Sequence, residues 1–228
     1  MSSGAAVRVS CVTPAVYDAS DEETPAVKAR RTSKELLPYL SRPVIPYLTQ
    51  GLGGDQDVGG ASILFVGAGE LAELPGLVST LSRGPLARVP VLLHIDMIEG
   101  LANDEAGVKY IATLGRIDGV ITVRQHLAPL ARKLGLLSVL RLFLQDGRAV
   151  ERGLQVIDRS QPDAVELLPG VAFLEVADRF KNLPIPTIAG GLIRTPEIVR
   201  RIIDAGAKAV STTNTALWAM NRGNRNDE

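Results

Sequence analysis

The stretch IAGGLIRTPEIVRRIIDAGAKAVSTTN, residues 188–214, contains the unit from which the fold can be inferred. It opens with an apolar run that leads into Gly190-Gly191, continues with a helical pattern and ends with a second apolar run. Thr195 followed by Pro196 is typical of a helix start, because Thr caps free N–H groups and Pro is favoured at the first helical position. Strand, helix and strand in this order predict a parallel β-α-β unit.

Similar units recur along the chain. Their apolar runs are seldom polar on either face, which is typical of parallel strands covered by helices. Eight such units in about 185 residues predict a closed (β/α)8 TIM barrel, an α/β fold, rather than an open doubly wound sheet. The eight runs are Val44–Leu48, Ser62–Val66, Val91–Ile95, Gly119–Val123, Leu137–Leu144, Ala164–Leu168, Pro186–Ala189 and Ala209–Thr212.

The sequence divides into three parts. Residues 1–40 lack sustained periodicity and are expected to form a poorly ordered N-terminal extension with a helical turn around Ser33–Tyr39. Residues 41–222 form the predicted barrel, and residues 223–228 a C-terminal tail. The first β/α unit is expected to be degenerate, since the glycine-rich stretch Gly51–Gly60 stands where the first helix belongs and resembles a loop over the barrel mouth.

Composition excludes several classes of protein. The 228 residues carry 25 Lys+Arg and 25 Asp+Glu, a net charge of zero, which disfavours broad non-specific binding to nucleic acid. No segment has the length and apolarity of a membrane span, and the N-terminus lacks the pattern of a secretory signal. The single cysteine, Cys11, has no partner for an internal disulfide. We therefore expect a cytoplasmic protein without membrane contact.

Charged residues lie on three of the predicted strands. Period-two alternation places Asp96, Arg141 and Glu166 on the inner face of the barrel near the C-terminal ends of their strands. Buried charge must be paired or used. One interpretation is an internal ion pair of Arg141 with Asp96 or Glu166; the other, which we favour because all three point toward one end, is a polar ligand pocket.

A second group of residues points to an anion. Strand seven leads into Gly190-Gly191 and strand eight into Ser211 and Thr212, and the corresponding loops of many barrels build a phosphate site from backbone N–H groups. Ordinary turn chemistry is the alternative explanation. The order of the two motifs favours phosphate binding. His94 has no second ligand at metal spacing, so no metal site is expected.

Several segments together resemble the GlpP family of glycerol-3-phosphate-responsive antiterminators. The resemblance runs from Pro43 to Asn221 and is specific because the segments occur together and in order. They are HIDMIEGLANDE at His94–Glu105, DGVIT at Asp118–Thr122, LRLFLQD at Leu140–Asp146, QPDAVELLPG at Gln161–Gly170, IAGGLIRT at Ile188–Thr195 and AVSTTNTALW at Ala209–Trp218.

The resemblance implies a non-enzymatic (β/α)8 barrel that binds glycerol 3-phosphate and then stabilises the leader mRNA of a glycerol-catabolic operon. It implies no cofactor and no catalytic residue, and it leaves a homo-oligomer open. The implied phosphate seat is Gly190, Gly191, Ser211 and Thr212, and the implied glycerol end is Asp96, Arg141 and Glu166. The competing hypothesis is a barrel enzyme acting on a small phosphorylated substrate, with Asp96 and Glu166 as general acid and base.

Overall fold

The structure, a computed structural model, describes residues 36–49, 57–58, 60–67 and 69–222. The predicted extension up to residue 35, with Cys11 in it, lies outside the described residues. So do most of the Gly51–Gly60 loop and the whole of the 223–228 tail.

Eight parallel strands form a closed barrel in chain order, so the predicted TIM barrel is confirmed. The strand ends differ from the predicted ends by at most two residues. The strands are β1 (Val44–Leu48), β2 (Leu64–Val66), β3 (Val91–His94), β4 (Gly119–Thr122), β5 (Leu137–Phe143), β6 (Ala164–Leu168), β7 (Thr187–Gly190) and β8 (Ala209–Thr212).

Helices follow each of the strands β2 to β8. Of the residues described between β1 and β2, none is helical, in agreement with the predicted degenerate first unit. The α-helices are Leu74–Leu81, Glu105–Thr113, Leu127–Lys133, Gly147–Ser160, Gly170–Phe180, Pro196–Asp204 and Thr215–Trp218. Along the described part of the chain, no helix has the length and apolarity needed to cross a membrane.

Capping residues fix where the helices at the mouth begin. The Thr195 side chain accepts a hydrogen bond from the N–H of Ile198, and Pro196 is the first helical residue, as predicted. Asp146 caps helix Gly147–Ser160 in the same way. Because each cap satisfies a free N–H group, the helix starts are fixed close to the strand ends that precede them.

The barrel interior is filled from the base upward by apolar side chains. Ile45, Phe65 and Ile188 are among the fully buried residues inside the barrel. Leu36 and Leu40, from a short 3-10 helix region before β1, pack against the same cluster. The packed part of the chain therefore includes residues 36–40, which the sequence analysis assigned to the extension. Arg141 and Glu166 lie above these apolar side chains, at the end of the interior where the site is found.

Candidate functional site at the barrel mouth

A cavity of about 440 Å³ opens at the C-terminal ends of the strands. Five of the seven residues predicted from the sequence line it, namely Gly191, Ser211, Thr212, Arg141 and Glu166. The other lining residues are Tyr47, Thr49, Gly67, Met97, Leu168, Leu192, Ile193, Arg194, Thr213 and Asn214. The barrel thus brings the predicted phosphate and glycerol residues to one space.

Arg141 and Glu166 form an ion pair at the floor of the cavity. They are register partners on β5 and β6, and Arg141 Nε lies 2.7 Å from Glu166 Oε2. Glu166 is fully buried, and 10% of the Arg141 side chain is exposed. Burial acts to lower the pKa of Arg141, but the Glu166 carboxylate outweighs burial and raises this pKa above its usual value. Both side chains line the cavity.

Gly190 lies beside this pair, where its lack of a side chain allows close contact. The hydroxyl of Ser211 donates a hydrogen bond to Glu166 Oε1. A Cβ atom at position 190 would lie 2.8 Å from Glu166 Oε1 and closer still to Ser211 Oγ. Gly190 is not among the residues that line the cavity. Because Gly190 has no side chain, Ser211 can reach Glu166. The contact of Gly190 with phosphate stays a prediction.

The loop after β7 has an unusual backbone. Gly191 and Leu192 both adopt left-handed conformations, with φ of 78° and 60°. The backbone N–H groups of Leu192, Ile193 and Arg194 donate to no acceptor in the part of the chain that the structure describes. The exposed Arg194 also lines the cavity. This loop therefore offers N–H donors and a cation beside the hydroxyls of β8.

Tyr47, on the strand next to β8, also lines the cavity and contacts His94, which is not among the lining residues. Tyr47 Oη lies 2.8 Å from His94 Nδ1, and Arg141 Nη1 lies 3.2 Å from the same nitrogen. Because arginine can only donate, Nδ1 must accept, and the hydrogen of a neutral ring sits on Nε2. Burial raises the pKa of Tyr47, and the Arg141 cation offsets only part of this effect. The protonated Tyr47 can donate to His94 while its oxygen still accepts.

Asp96 does not occupy its predicted position. It lies beyond β3 in the 3-10 helix Ile95–Met97, not on the inner face of the strand, and it is not among the residues that line the cavity. Its Oδ2 accepts from the N–H of Val123 at 3.0 Å and lies 3.4 Å from His94 Nε2. Burial acts to raise the pKa of Asp96, but the nearby His94 and the hydrogen bond from the N–H of Val123 outweigh burial and lower this pKa. Asp96 therefore lies beside His94, whose Nε2 has no hydrogen-bond partner of ordinary geometry among the described residues.

The sequence analysis missed Tyr47, His94 and Arg194 as site residues. Alternation along β1 places Tyr47 on the same face as the buried Ile45, and a hydroxyl there near the strand end is a usable signal. Arg194 lies within the quoted IAGGLIRT segment, where a cation just after two glycines is an equally plain signal. The described residues contain no group of three His, Cys, Asp or Glu side chains that could hold a metal ion.

This geometry suits a small anion that also carries hydroxyl groups. The cavity lining combines N–H donors, hydroxyls and Arg194 with the Glu166 carboxylate and the Tyr47 oxygen. Asp96 is not among the lining residues, so this cavity does not bring together the two carboxylates that the enzyme hypothesis assumes for a general acid and base.

Many solved barrels share the fold at low identity. The N-acetylmannosamine-6-phosphate 2-epimerase of Clostridium perfringens is 16% identical with a TM-score of 0.56, covering 78% of this chain and 88% of its own. Such similarity establishes the fold alone.

Three proteins are similar to this chain at about twice that sequence identity, and two of them are named as antiterminators or antiterminator-related. The glycerol uptake operon antiterminator regulatory protein of Listeria monocytogenes is 34% identical, with a TM-score of 0.69, over 77% of this chain and 94% of its own. A glycerol uptake operon antiterminator-related protein of Thermotoga maritima is 29% identical, with a TM-score of 0.67, over 78% and 98%. The uncharacterized protein YgcP of Escherichia coli is 32% identical over 56% of this chain and 67% of its own.

The family model described as glycerol-3-phosphate responsive antiterminator matches residues 57–218, which is more than half of the chain. This match agrees with the resemblance seen in the sequence segments and with the two antiterminator structures. The chain therefore belongs to the glycerol-3-phosphate responsive antiterminator family.

Proposed function

We propose that this protein is a ligand-gated regulator of transcription that binds glycerol 3-phosphate in the mouth cavity and, in that state, the leader mRNA of a glycerol-catabolic operon. One observation carries the proposal. In a chain of this family, residues of the β7 and β8 loops and the Arg141–Glu166 pair line the same cavity. A glycerol phosphate presents both an anionic and a hydroxylated end, and the cavity has a complement for each.

The phosphate end belongs at the loops after β7 and β8. The N–H groups of Leu192, Ile193 and Arg194 and the hydroxyl of Thr212 are grouped there, and Ser211 lies beside them with its hydrogen donated to Glu166. Backbone N–H groups at the start of helices and loops favour anions, and the Arg194 guanidinium adds a full positive charge. In this proposal Gly191 contributes its left-handed backbone, which a side chain would strain.

The glycerol end belongs at Glu166 and Tyr47. Glu166 accepts hydrogen bonds, and the Tyr47 oxygen keeps a free lone pair when its hydrogen points to His94. Two hydroxyl groups of the ligand can donate to these acceptors. Inorganic phosphate lacks such groups, so we expect it to bind more weakly than glycerol 3-phosphate.

Ligand binding is expected to favour the RNA-binding state by its higher affinity for that state. The family supports a regulatory role, and the absence of Asp96 from the cavity removes one of the two carboxylates on which the enzyme hypothesis depends. If the purified protein consumed glycerol 3-phosphate, the proposal that it is a regulator would be overturned.

The test compares Gly191→Val with Gly115→Val. Both glycines are exposed and left-handed, with φ of 78° and 70°, but Gly115 lies in the turn that precedes β4 at the base. Calorimetric titration with glycerol 3-phosphate should show binding by the wild type and by Gly115→Val, and none by Gly191→Val. Gel shifts on the protein's own operon leader should require the ligand. Equal ligand binding by both variants would contradict the proposed phosphate seat.

A further inference from the structure

Exposed apolar side chains gather around the barrel mouth. Six large hydrophobic side chains among the described residues are exposed, and four of them lie at or just after the C-terminal ends of β3, β4, β5 and β7. These four, the rim residues, are Met97, Val123, Phe143 and Leu192, exposed by 53, 43, 51 and 60%. Such a concentration at one end of a molecule marks an interaction surface rather than an ordinary solvated face.

Polar and cationic side chains alternate with the rim residues. Arg124 follows Val123, with 47% of its side chain exposed, and its Nε lies 3.6 Å from Asp96 Oδ1. Arg194 follows Leu192 by two positions, and the exposed Gln145 follows Phe143 by two. The surface therefore combines an aromatic ring and aliphatic groups with guanidinium donors.

This combination identifies the chemistry of the partner. Single-stranded RNA is bound by stacking of its bases on aromatic rings and on arginine planes, with cations beside its phosphates. Aromatic residues, Met and Arg are also common in protein–protein interfaces, and the proposed function, in which the partner is an mRNA, decides in favour of RNA. Resting on the proposed function, we infer that the rim, from the loop after β4 through Phe143 to the loop after β7, is the surface that binds a single-stranded part of the leader mRNA.

The rim and the ligand cavity share residues, which explains how the ligand controls the RNA. Met97, Leu192 and Arg194 line the cavity as well as the outer surface. A phosphate held at this loop fixes Leu192 and Arg194, and RNA lying across the mouth contacts the same two side chains. The RNA then covers the ligand, so no long-range conformational change is needed to couple the two sites.

The test uses two rim variants, Phe143→Ala and Arg124→Ala, neither of which alters a cavity-lining residue. With saturating glycerol 3-phosphate, Phe143→Ala should weaken leader RNA binding by about 5- to 100-fold through the lost stacking. Arg124→Ala should reduce the slope of log K against log salt by about one. Glycerol 3-phosphate affinity should match the wild type in both variants.

Two exposed residues elsewhere supply matched controls. Tyr110→Ala removes an exposed aromatic ring from helix Glu105–Thr113, and Arg159→Ala removes an exposed arginine at the base end of helix Gly147–Ser160. Both controls should bind RNA as the wild type does. Weaker binding by the rim variants alone would support the rim as the RNA-binding surface.

Other outcomes overturn the inference. Normal RNA binding by both rim variants would place the RNA elsewhere while leaving the proposed function intact. If the wild type fails to bind the leader RNA in the presence of glycerol 3-phosphate, this inference and the proposed function are both overturned. Sedimentation that shows a wild-type dimer made monomeric by Phe143→Ala would assign the rim to a second copy of this chain.

Discussion

At the base of the barrel the buried carboxylates accept from backbone N–H groups of the neighbouring strand as well as from side chains, whereas at the mouth the buried Glu166 binds the side chains of Arg141 and Ser211. Asp118 Oδ2 accepts from the N–H of Val91 at 3.0 Å and from Arg116 Nη1 at 2.9 Å. Asp163 Oδ2 accepts from both the N–H and the hydroxyl of Ser138 at 2.9 Å. These bonds connect adjacent strands and face no ligand cavity.

The mouth differs because its polar groups face an open space. Glu166 is bound by Arg141 and Ser211, and all three line the cavity. Polar groups that served stability alone would gain nothing from this exposure to a cavity. We infer from the comparison that the buried carboxylates of the base contribute to stability without affecting ligand binding, whereas the mouth pair contributes to both, and the predictions below test this difference.

The largest effect is expected from breaking the mouth ion pair. Glu166→Gln leaves the Arg141 cation in place without its counter-ion, and we expect a loss of about 3–5 kcal/mol in the free energy of unfolding. The double variant Arg141→Met/Glu166→Gln should regain most of this stability, because no unpaired buried charge remains. Urea denaturation measures both.

Glycerol 3-phosphate binding distinguishes a functional pair from a merely structural one. Calorimetry should detect no binding to the double variant even though its stability is restored. Wild-type affinity in that variant would show that the pair only satisfies itself, the first of the two interpretations open from the sequence.

At the base we expect stability to change without a change in binding. Asp118→Ala removes the acceptor for Val91 and for Arg116 and should cost about 3 kcal/mol of unfolding free energy. Its affinity for glycerol 3-phosphate should stay within about twofold of the wild type when measured well below the unfolding transition. A large loss of affinity in the folded variant would break the division between base and mouth.

A smaller effect is expected at Gly67, which lies against Tyr47. A Cβ atom there would fall inside the contact distance of the Tyr47 hydroxyl and ring. Gly67→Ala should displace the hydroxyl and weaken glycerol 3-phosphate binding by about tenfold, the worth of roughly one hydrogen bond. Gly76→Ala, on helix Leu74–Leu81 with open space around it, is the control and should bind normally.

The smallest effect concerns Asp96 and depends on pH. Since the folded state lowers the pKa of Asp96, the carboxylate contributes stability above its unfolded pKa and loses that contribution as the pH falls through the folded pKa. Asp96→Asn should therefore be less stable than the wild type at neutral pH, and the difference should disappear in acid. A difference in stability that does not change as the pH falls would contradict this assignment.

The sequence predicted the barrel and most of the mouth because both rest on local patterns. Alternation along β5 and β6 placed Arg141 and Glu166 correctly, since inner and outer residues alternate in any strand. It failed for Asp96 because β3 ends at His94 and the chain turns there into a 3-10 helix. The tautomer of His94 and the contact of Tyr47 with it depend on packing between distant strands, which no local pattern contains.

The most direct test of the account is a crystal structure of the protein with glycerol 3-phosphate. We expect the phosphate to accept from the N–H groups of the Leu192–Arg194 loop and from Thr212, with the glycerol hydroxyls directed to Glu166 and Tyr47. A ligand bound outside the mouth, or a mouth cavity without ligand at saturating concentration, would contradict the account.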